Sequence, residues 1–326
     1  MIPEGPIYTK GTSFRAKAEA SARKYRAETL QLAAFDRYGH RLADKDAQRH
    51  MNSLPCCREA IGSAIKKRAE HGKGISLDRT TKNMLSSQAM CFNLFVPLNL
   101  NKPFAALCLD ELIGDVKTVF EIHIEYTPPN DIFGDQSGRG GVDCDALIIY
   151  QRHDGKRALL VVETKFVEQE FSICGFRKTT QKNKCPEDTI VGTTFAECRY
   201  HSLKGYKYWQ VSNQSGIFDM EKIHNRQCPF GGDLWQLWTN QALAYALAKE
   251  RKCDFYTYAV IYPEGNTALT GNGTVFNRFR DVLSVPEHFL PITLEKVMAT
   301  MRLYADGATN KKCVEEFVER YDVRKI

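Results

Sequence analysis

The chain of 326 residues contains no apolar run long enough to span a membrane, which argues against a helical membrane protein. Its first residues carry no apolar stretch of the kind that a signal peptide needs, so we expect a cytoplasmic protein. Internal repeats and low-complexity segments are also absent. The 11 cysteines show no regular disulfide spacing, and in a reducing compartment most of them should stay buried thiols. What is present is a hydrophobic fraction of 43%, ample for a packed core.

Positive charge is concentrated near the N-terminus. Residues 1–82 contain 17 Lys and Arg against 9 Asp and Glu, an excess of 8 that is larger than the net charge of +6 for the whole chain. The remainder is therefore slightly acidic. A basic region of this kind suits a polyanionic partner, whose phosphates Lys and Arg would neutralise. The alternative is a solvated helical surface without a partner.

The apolar pattern divides the chain into a helical N-terminal region, residues 1–110, and an α/β core, residues 111–326, with a cysteine-containing polar insert at about 171–230. Helices are predicted over 13–35, 44–72 with a break at Pro55, 84–95 ended by Pro97, 104–113, 233–250, 293–304 and 310–320. Strands are predicted over 116–126, 145–150, 158–162 and 254–262, and Pro286 and Pro291 are expected to bracket a turn.

Two of these strands carry charge at adjacent ends. The apolar runs 145–150 and 158–162 are typical of strands covered on both faces, and the Asp154-Gly155 pair between them indicates a hairpin. Side chains alternate along a strand, so Glu163 and Lys165 share one face. A loop of odd length, or a bulge, is needed to bring Asp145 to that same face. We therefore predict one of these two features.

The cluster has the composition of a metal-dependent phosphodiesterase site. The carboxylates of Asp145 and Glu163 can share a Mg²⁺, and the backbone carbonyl of Thr164 can add a third ligand. Lys165 supplies a positive charge that orients the attacking water or stabilises the developing negative charge. Asp143 competes with Asp145 as the first carboxylate; we favour Asp145 because the small Ala146 and the apolar strand follow it. A surface ion pair without chemistry is the simpler alternative.

Asp145 and Glu163-Thr164-Lys165 match the Asp and the D/E-x-K of the PD-(D/E)xK nuclease superfamily, and the chain resembles this superfamily in those residues. It looks most like a bacterial branch of restriction-endonuclease-like proteins. The stretches Ser86–Phe95 and Trp235-Gln236-Leu237 support that branch. Cys144 stands where the strict motif has Pro. The resemblance implies an α/β fold of the restriction-endonuclease-like kind, with a mixed central sheet flanked by helices and here a helical N-terminal region.

The resemblance also implies an activity: hydrolysis of DNA phosphodiester bonds by an endonuclease that uses Mg²⁺ or Mn²⁺, in restriction and defence or in repair. A catalytically inactive nucleic-acid-binding protein that keeps the nuclease fold is the alternative. DNA is the expected partner. A homodimer is an open possibility, because double-strand cleavage by a single site often requires two copies.

Two further site residues are implied by the same resemblance. Some relatives carry Gln-x-x-x-Tyr on a helix after the Lys strand, which here is Gln241 with Tyr245, one helical turn apart. Gln236 and Asn240 form a rival pair with the same spacing. A third acidic group is also usual in the family; from the candidates Glu111, Glu121 and Glu125 we favour Glu125.

The insert contains cysteines and histidines at spacings that metals use. Cys198-x-x-His201 and His224-x-x-x-Cys228 could form a tetrahedral zinc site. A second set could hold an iron–sulfur cluster, as in some relatives of this fold, and consists of Cys174, Cys185, Cys198 and Cys228. The third alternative is that these cysteines are ordinary buried thiols.

Overall fold

A mixed five-stranded sheet lies at the centre of the protein. In the computed structural model, which describes residues 1–72, 74–129, 131–135, 142–178 and 184–325, the strand order is β1-β2-β3-β6-β7. The strands are β1 (Thr118–Tyr126), β2 (Cys144–Gln151), β3 (Arg157–Thr164), β6 (Phe255–Tyr262) and β7 (Phe289–Thr293). β1, β2 and β3 pair antiparallel, and β3, β6 and β7 pair parallel. A two-stranded ribbon of β4 (Ile190–Val191) and β5 (Arg226–Gln227) lies in the insert.

The hairpin between β2 and β3 has an odd loop, as predicted. Residues 152–156 form the loop, and Gln151 pairs with Arg157. The ladder continues to the pair Ala146 and Val162. One further step along this register places Asp145 opposite Glu163, on the same face of the sheet. An even loop would have placed the two side chains on opposite faces.

Helices cover both faces of the sheet. The N-terminal half contains α1 (Phe14–Glu28), α2 (Asp44–Gln48), α3 (Arg58–Glu70), α4 (Leu77–Lys82), α5 (Ser87–Leu100) and α6 (Lys102–Ile113). The insert and the segments after it contain α7 (Arg199–Ser202), α8 (Tyr208–Ser215), α9 (Met220–Ile223), α10 (Trp235–Glu250), α11 (Thr267–Thr270), α12 (Thr274–Asp281), α13 (Leu294–Tyr304) and α14 (Gly307–Tyr321). Short 3₁₀ turns occupy Pro55–Cys57, Gly175–Arg177, Pro286–His288 and Val323–Lys325. Among the described helices, none combines the length and the apolarity needed to cross a bilayer.

The two faces of the sheet support two separate apolar cores. Alternate residues of β2, such as Ile148 and Leu147, enter different cores, which is the period of two expected of a strand. α5, α6 and α13 pack on the first face, and α10 packs against β3 and β6 on the second. The first core also includes residues of the N-terminal helices, such as Ala18, so the region before residue 110 packs continuously onto the sheet. The division at residue 110 stays a prediction.

Two proline assignments were wrong. Pro97 lies inside α5 rather than ending it, and the helix continues for another turn because Asn101 N–H still finds the Pro97 carbonyl at 3.2 Å. Pro291 lies inside β7, paired with Val260, rather than at a turn. β7 is an edge strand of this sheet, where the missing N–H of a proline need not break a ladder on the open side.

The cysteines include one cross-link between distant parts of the sequence. Cys56 and Cys313 form a disulfide with a Cα–Cα distance of 5.5 Å, which connects the segment before α3 to α14. The other nine cysteines are free thiols.

Arg26 holds the N-terminal segment in place through hydrogen bonds from its buried side chain. Its fully buried guanidinium donates to the carbonyl oxygens of Gly39 at 2.8 Å, Glu4 at 2.8 Å and Pro3 at 3.0 Å, and also to that of Leu32. One side chain therefore satisfies backbone groups from three separate segments, which no apolar residue can replace.

Replacement of Arg26 by Ala should lower the free energy of unfolding by about 3 kcal/mol or more, because several carbonyl groups lose their donor together. Chemical denaturation monitored by circular dichroism measures this loss. Lys24→Ala is the matched control, because Lys24 lies on the same helix and is exposed. Equal effects of the two substitutions would contradict the structural part assigned to Arg26.

Candidate active site

Three carboxylate residues lie in one row across neighbouring strands. β1 pairs with β2 through Ile124 and Ala146 and through Tyr126 and Cys144, which places Glu125 opposite Asp145. The register of β2 with β3 places Asp145 opposite Glu163. Directly opposed residues of antiparallel strands have Cβ atoms about 5 Å apart, so this row concentrates negative charge at one end of the sheet.

Glu163 is buried and held by three donors. Its Oε1 accepts from Lys165 Nζ at 2.9 Å and from Gln236 Nε2 at 2.7 Å, and its Oε2 accepts from Asn240 Nδ2 at 3.0 Å. Gln236 and Asn240 are one turn apart on α10, so both amides reach the same carboxylate. These bonds fix the orientation of the carboxylate at the end of β3.

Asp145 is half-buried at the start of β2 and bonds to the neighbouring strand. Its Oδ2 accepts from Thr164 N and from Thr164 Oγ1, both at 2.6 Å. Burial raises the pKa of this carboxyl, the Glu163 carboxylate raises it further, and the two Thr164 bonds and Lys165 lower it, which leaves a value of about 8. Asp145 therefore holds a proton near neutral pH unless a cation takes the place of that proton.

Two more carboxyl groups lie within electrostatic reach. Burial and the Asp145 charge raise the pKa of Glu125 well above its ordinary value. Burial, followed by the Glu163 charge, raises the pKa of Asp143 to about 6. Glu125 adopts a φ of 52°, unusual for a residue with a side chain, and its Oε1 is buried without a hydrogen-bond partner among the described residues. Strained and unsatisfied groups of this kind are concentrated at functional sites.

The Ser86–Phe95 stretch lies directly against this row. Gln88 Nε2 donates to Glu125 Oε2 at 2.8 Å and to the Gly74 carbonyl at 2.9 Å. Cys91 Sγ donates to the Asp145 carbonyl at 3.2 Å. In the sequence this stretch is a family feature, and the structure shows that two of its side chains, Gln88 and Cys91, contact the acidic strand ends.

Lys165 is the buried cation of the site. Burial lowers the pKa of its amine, but the carboxylates of Glu163, Glu168 and Asp145 raise it more, so the amine stays charged. Its Nζ also lies 5.6 Å from the centre of the Phe171 ring. The ion pair between Glu163 and Lys165 is therefore buried and does not lie on the surface, since both side chains are less than one-tenth exposed. A part for this pair in chemistry stays a prediction.

Arg68 is a residue that the sequence analysis missed. Its Nε donates to the Glu125 carbonyl, and its Nη2 donates to Thr127 Oγ1 at 2.6 Å. Its charge also lowers the pKa of Asp143. Nothing local in the sequence around residue 68 connects it to β1, because the contact depends on how α3 packs.

On α10, the residues that reach the site are Gln236 and Asn240, the alternative to the pair Gln241 and Tyr245. Gln236 and Asn240 bind Glu163, whereas the Tyr245 hydroxyl donates to the Gln214 carbonyl at 3.0 Å. Gln241 is fully buried, and neither of its side-chain polar atoms has a partner among the described residues. A part for Gln241 in chemistry stays a prediction.

Of the three candidates for a further acidic group, Glu125 is the one whose pKa is raised by burial and then by the Asp145 charge. Glu121 pairs with His123 and Arg157. Glu111 accepts from the Tyr304 hydroxyl at 3.1 Å. The structure therefore brings Glu125 to the row.

The donor set fits a hard divalent cation. Four carboxyl groups outnumber the one buried lysine, and oxygen ligands of this kind are what Mg²⁺ prefers. Among the described residues, Cys56, Cys57 and Cys313 form the one group of three or more Cys, His, Asp or Glu side chains whose ligand atoms all lie within 4.8 Å of one another. A metal ion bound at the acidic row would therefore require the carboxylates to leave their present hydrogen bonds and to move closer together.

The predicted zinc site is not formed. Cys198, His201, His224 and Cys228 do not bring three ligand atoms within that distance. The rings of His201 and His224 pack against Phe195, at centroid distances of 6.3 and 5.5 Å. The two cysteines instead face a cavity that neither histidine lines. Aromatic packing thus separates the histidines from the sulfurs.

Comparison with known proteins agrees with the geometry. A model of the PD-(D/E)XK nuclease superfamily matches residues 10–322. The chain therefore belongs to this superfamily, and the mixed sheet flanked by helices confirms the expected restriction-endonuclease-like α/β fold. No curated protein and no solved structure matches the chain.

The raised pKa of Asp145 predicts a pH-dependent stability. A carboxyl whose folded pKa of about 8 exceeds its ordinary 3.8 stabilises the fold while protonated, and this contribution is lost as pH rises toward about 8. Without divalent metal, the free energy of unfolding should fall between about pH 5 and about pH 8, by at most about 1.4 kcal/mol per pH unit for each such group.

Asp145→Asn should flatten this fall, because the amide oxygen can still accept from Thr164 and carries no charge. Denaturation curves across the pH range measure it. Asp154→Asn, in the exposed hairpin loop, is the control and should keep the wild-type slope. An unchanged slope in Asp145→Asn would contradict the assignment of the pH-dependent stability to Asp145.

Proposed function

We propose that the protein is a divalent-metal-dependent nuclease that hydrolyses phosphodiester bonds of DNA. The observation that carries the proposal is the row of Glu125, Asp145 and Glu163 beside the buried Lys165, in which Glu125 and Glu163 are also buried and Asp145 is half-buried. Charge of one sign in excess inside a protein is costly unless a cation or a proton offsets it. Membership of a nuclease superfamily supports the same conclusion.

Asp145, Glu163 and the Thr164 carbonyl are the proposed holders of Mg²⁺ or Mn²⁺. The Oε1 of Glu125, which has no hydrogen-bond partner within the described part of the chain, is a further acceptor in the same row. When bound, the ion polarises the scissile phosphate and lowers the pKa of a water bound to it.

The side chains of this protein supply position and charge. Gln236 and Asn240 hold the Glu163 carboxylate in one orientation. Thr164 holds the carboxylate of Asp145 through two hydrogen bonds. Lys165, kept charged by its carboxylate neighbours, stabilises negative charge that develops on the phosphate.

Two exposed lysines precede the arginine that reaches the acidic row. Lys66 and Lys67, near the C-terminal end of α3, stand immediately before Arg68, which donates to the backbone carbonyl of Glu125. Cations at this position can neutralise phosphates of a strand whose scissile bond lies over the acidic row. The proposal covers a restriction or a repair role, and cleavage of both strands by one site per chain would use a homodimer.

The second candidate, an inactive nucleic-acid-binding protein, has one observation in its favour. Both oxygens of Glu163 already accept hydrogen bonds from the protein. Metal-linked stability separates the two candidates: a nuclease that binds Mg²⁺ is stabilised by RT ln(1 + [Mg²⁺]/Kd), whereas a protein without a site is not. Thermal unfolding with and without Mg²⁺ measures this difference.

Glu163→Gln and Lys165→Ala should each reduce Mg²⁺-dependent cleavage about 100-fold or more, because metal ligation and charge stabilisation are lost. Plasmid and single-stranded DNA, incubated with and without Mg²⁺ or Mn²⁺, are the substrates. Lys156→Ala, in the exposed loop of the same hairpin, should cleave as the wild type does. Retained cleavage by both site variants, with folding verified by circular dichroism, would remove the mechanism.

Replacing Lys66 and Lys67 together by Ala should weaken DNA binding at low salt and reduce the slope of log K against log salt by about 2. Fluorescence anisotropy of labelled DNA over a salt series measures both effects. The matched control is Lys311 and Lys312 on α14, an equally exposed lysine pair on a helix that packs against α1 and α13. The same change in slope for both double variants would contradict a specific DNA contact at α3.

A further inference from the structure

Aromatic rings cluster at the surface of the N-terminal region. Tyr8 is 53% exposed and Phe35 is 37% exposed. The ring of the half-buried Tyr38 lies 5.0 Å from that of Tyr8, measured between centroids. Phe35 and Tyr38 are the two ends of one tight turn, in which Tyr38 N donates to Phe35 O at 3.1 Å. We call Tyr8, Phe35 and Tyr38 the aromatic platform. Clustered apolar rings at a surface mark an interaction site, whereas single exposed rings do not.

Positive charge accompanies the platform. The Arg37 guanidinium lies 5.0 Å from the centre of the Tyr38 ring and donates to its hydroxyl at 2.9 Å. The Arg41 guanidinium lies 5.8 Å from the same ring centre and pairs with Asp78 at 2.6 Å. Residues 1–41 carry 8 Lys and Arg against 4 Asp and Glu. Rings beside cations suit a single strand of nucleic acid, because unpaired bases stack on aromatic faces and cations neutralise the phosphates.

Buried charged side chains hold the backbone of the platform in place. Glu19 is 1% exposed, and its carboxylate accepts from Tyr8 N at 2.6 Å and from Thr9 N at 2.7 Å. Arg26 donates to Gly39 O at 2.8 Å, in the loop that contains the Phe35–Tyr38 turn. Burying charge is costly unless it is paired or hydrogen-bonded. Here the buried charges stabilise the backbone beneath exposed rings, so the rings are preorganised for a ligand.

The first helix connects the platform to the acidic row. Phe14, at the start of α1, packs edge-on against Phe166 at a centroid distance of 6.2 Å, and Phe166 follows Lys165 directly in the chain. Glu19, which holds the backbone of Tyr8, lies five residues further along α1, a rise of about 7.5 Å. One strand of a few nucleotides can therefore extend from the row to the platform.

A second connection follows α4 and consists of arginines. Arg79 is exposed, and its Nη2 lies 4.0 Å from Oε1 of Glu168, three residues after Lys165 in the chain. Asp78 precedes Arg79 and pairs with Arg41, whose guanidinium lies beside the platform. These two arginines thus offer positive charge between the row and the platform, where the phosphates of one strand can be neutralised.

We propose that the aromatic platform binds an unpaired segment of the DNA substrate, so that the protein acts on DNA with a single-stranded part. This inference rests on the proposed function, because it names the form of DNA that the acidic row receives. In a duplex the faces of the bases are covered by their neighbours, whereas unpaired bases can stack on Tyr8 and Tyr38. Arg37 and Arg41 contact the adjoining phosphates.

The test is DNA binding without divalent metal, so that the result does not depend on cleavage. Fluorescence anisotropy compares labelled oligo(dT), which forms no duplex, with a duplex of the same length. Tyr8→Ala should weaken binding of oligo(dT) about 10-fold, the effect of losing one stacked base, and should leave duplex binding unchanged. Phe120→Ala is the matched control, because Phe120 is 40% exposed on β1 and outside the platform. It should bind both DNAs as the wild type does.

Three further variants separate stacking from charge. Tyr8→Phe keeps the ring and should bind oligo(dT) as the wild type does. Arg37→Ala should weaken binding of both DNAs and reduce the slope of log K against log salt by about 1, whereas Tyr8→Ala should leave that slope unchanged. Phe35→Ala should also weaken binding of oligo(dT), and it replaces Tyr8→Ala if circular dichroism shows that the latter does not fold.

Equal losses on oligo(dT) and on the duplex in the two ring variants, or an equal loss in Phe120→Ala, would overturn the proposal. If the platform binds a protein instead, the ring variants will bind oligo(dT) as the wild type does, which also overturns it. Tighter binding of oligo(U) than of oligo(dT) would overturn the assignment to DNA. Platform-dependent binding of oligo(dT) by a protein that cleaves nothing with Mg²⁺ would contradict the proposed function alone.

Discussion

The mutual repulsion of carboxylates in one cross-strand row is the constraint on which the rest of this structure depends. The register of β1, β2 and β3 places Glu125, Asp145 and Glu163 side by side at the end of a buried sheet. Burial alone disfavours charge there, and proximity disfavours it further. The row is stable as a protein site only where protons, a lysine or a bound cation balance it, which is why Lys165 and the raised pKa of Asp145 occur together.

Both faces of the sheet contribute to holding that row. From one face, Gln88 on α5 binds Glu125, and it also ties the row to the N-terminal region through the Gly74 carbonyl. From the other face, Gln236 and Asn240 on α10 bind Glu163. The basic region and the cysteine-containing insert are thus each connected to the acidic strand ends by one glutamine.

The Glu-x-Lys pattern has little meaning by itself, because most such pairs are solvated. Here the pair is buried and lies opposite Asp145, whose pKa is raised to about 8, and groups perturbed in this way are concentrated at functional sites. Membership of the PD-(D/E)XK superfamily, shown over residues 10–322, agrees with the acidic row.

The sequence by itself determined the β2–β3 hairpin and the shared face of Glu163 and Lys165, which follow from the Asp-Gly pair and from alternation along a strand, both local properties. It left open whether an odd loop or a bulge would bring Asp145 to that face, and the structure decided for the odd loop. Tertiary structure decided which of the rival pairs on α10 faces Glu163, because the rotation of a helix about its axis is set by packing against the sheet. It likewise decided that Arg68 reaches β1 and that Pro291 lies in an edge strand. It also placed the four cysteines around one cavity, since contacts between distant segments depend on the whole fold and leave no periodic signal in the chain.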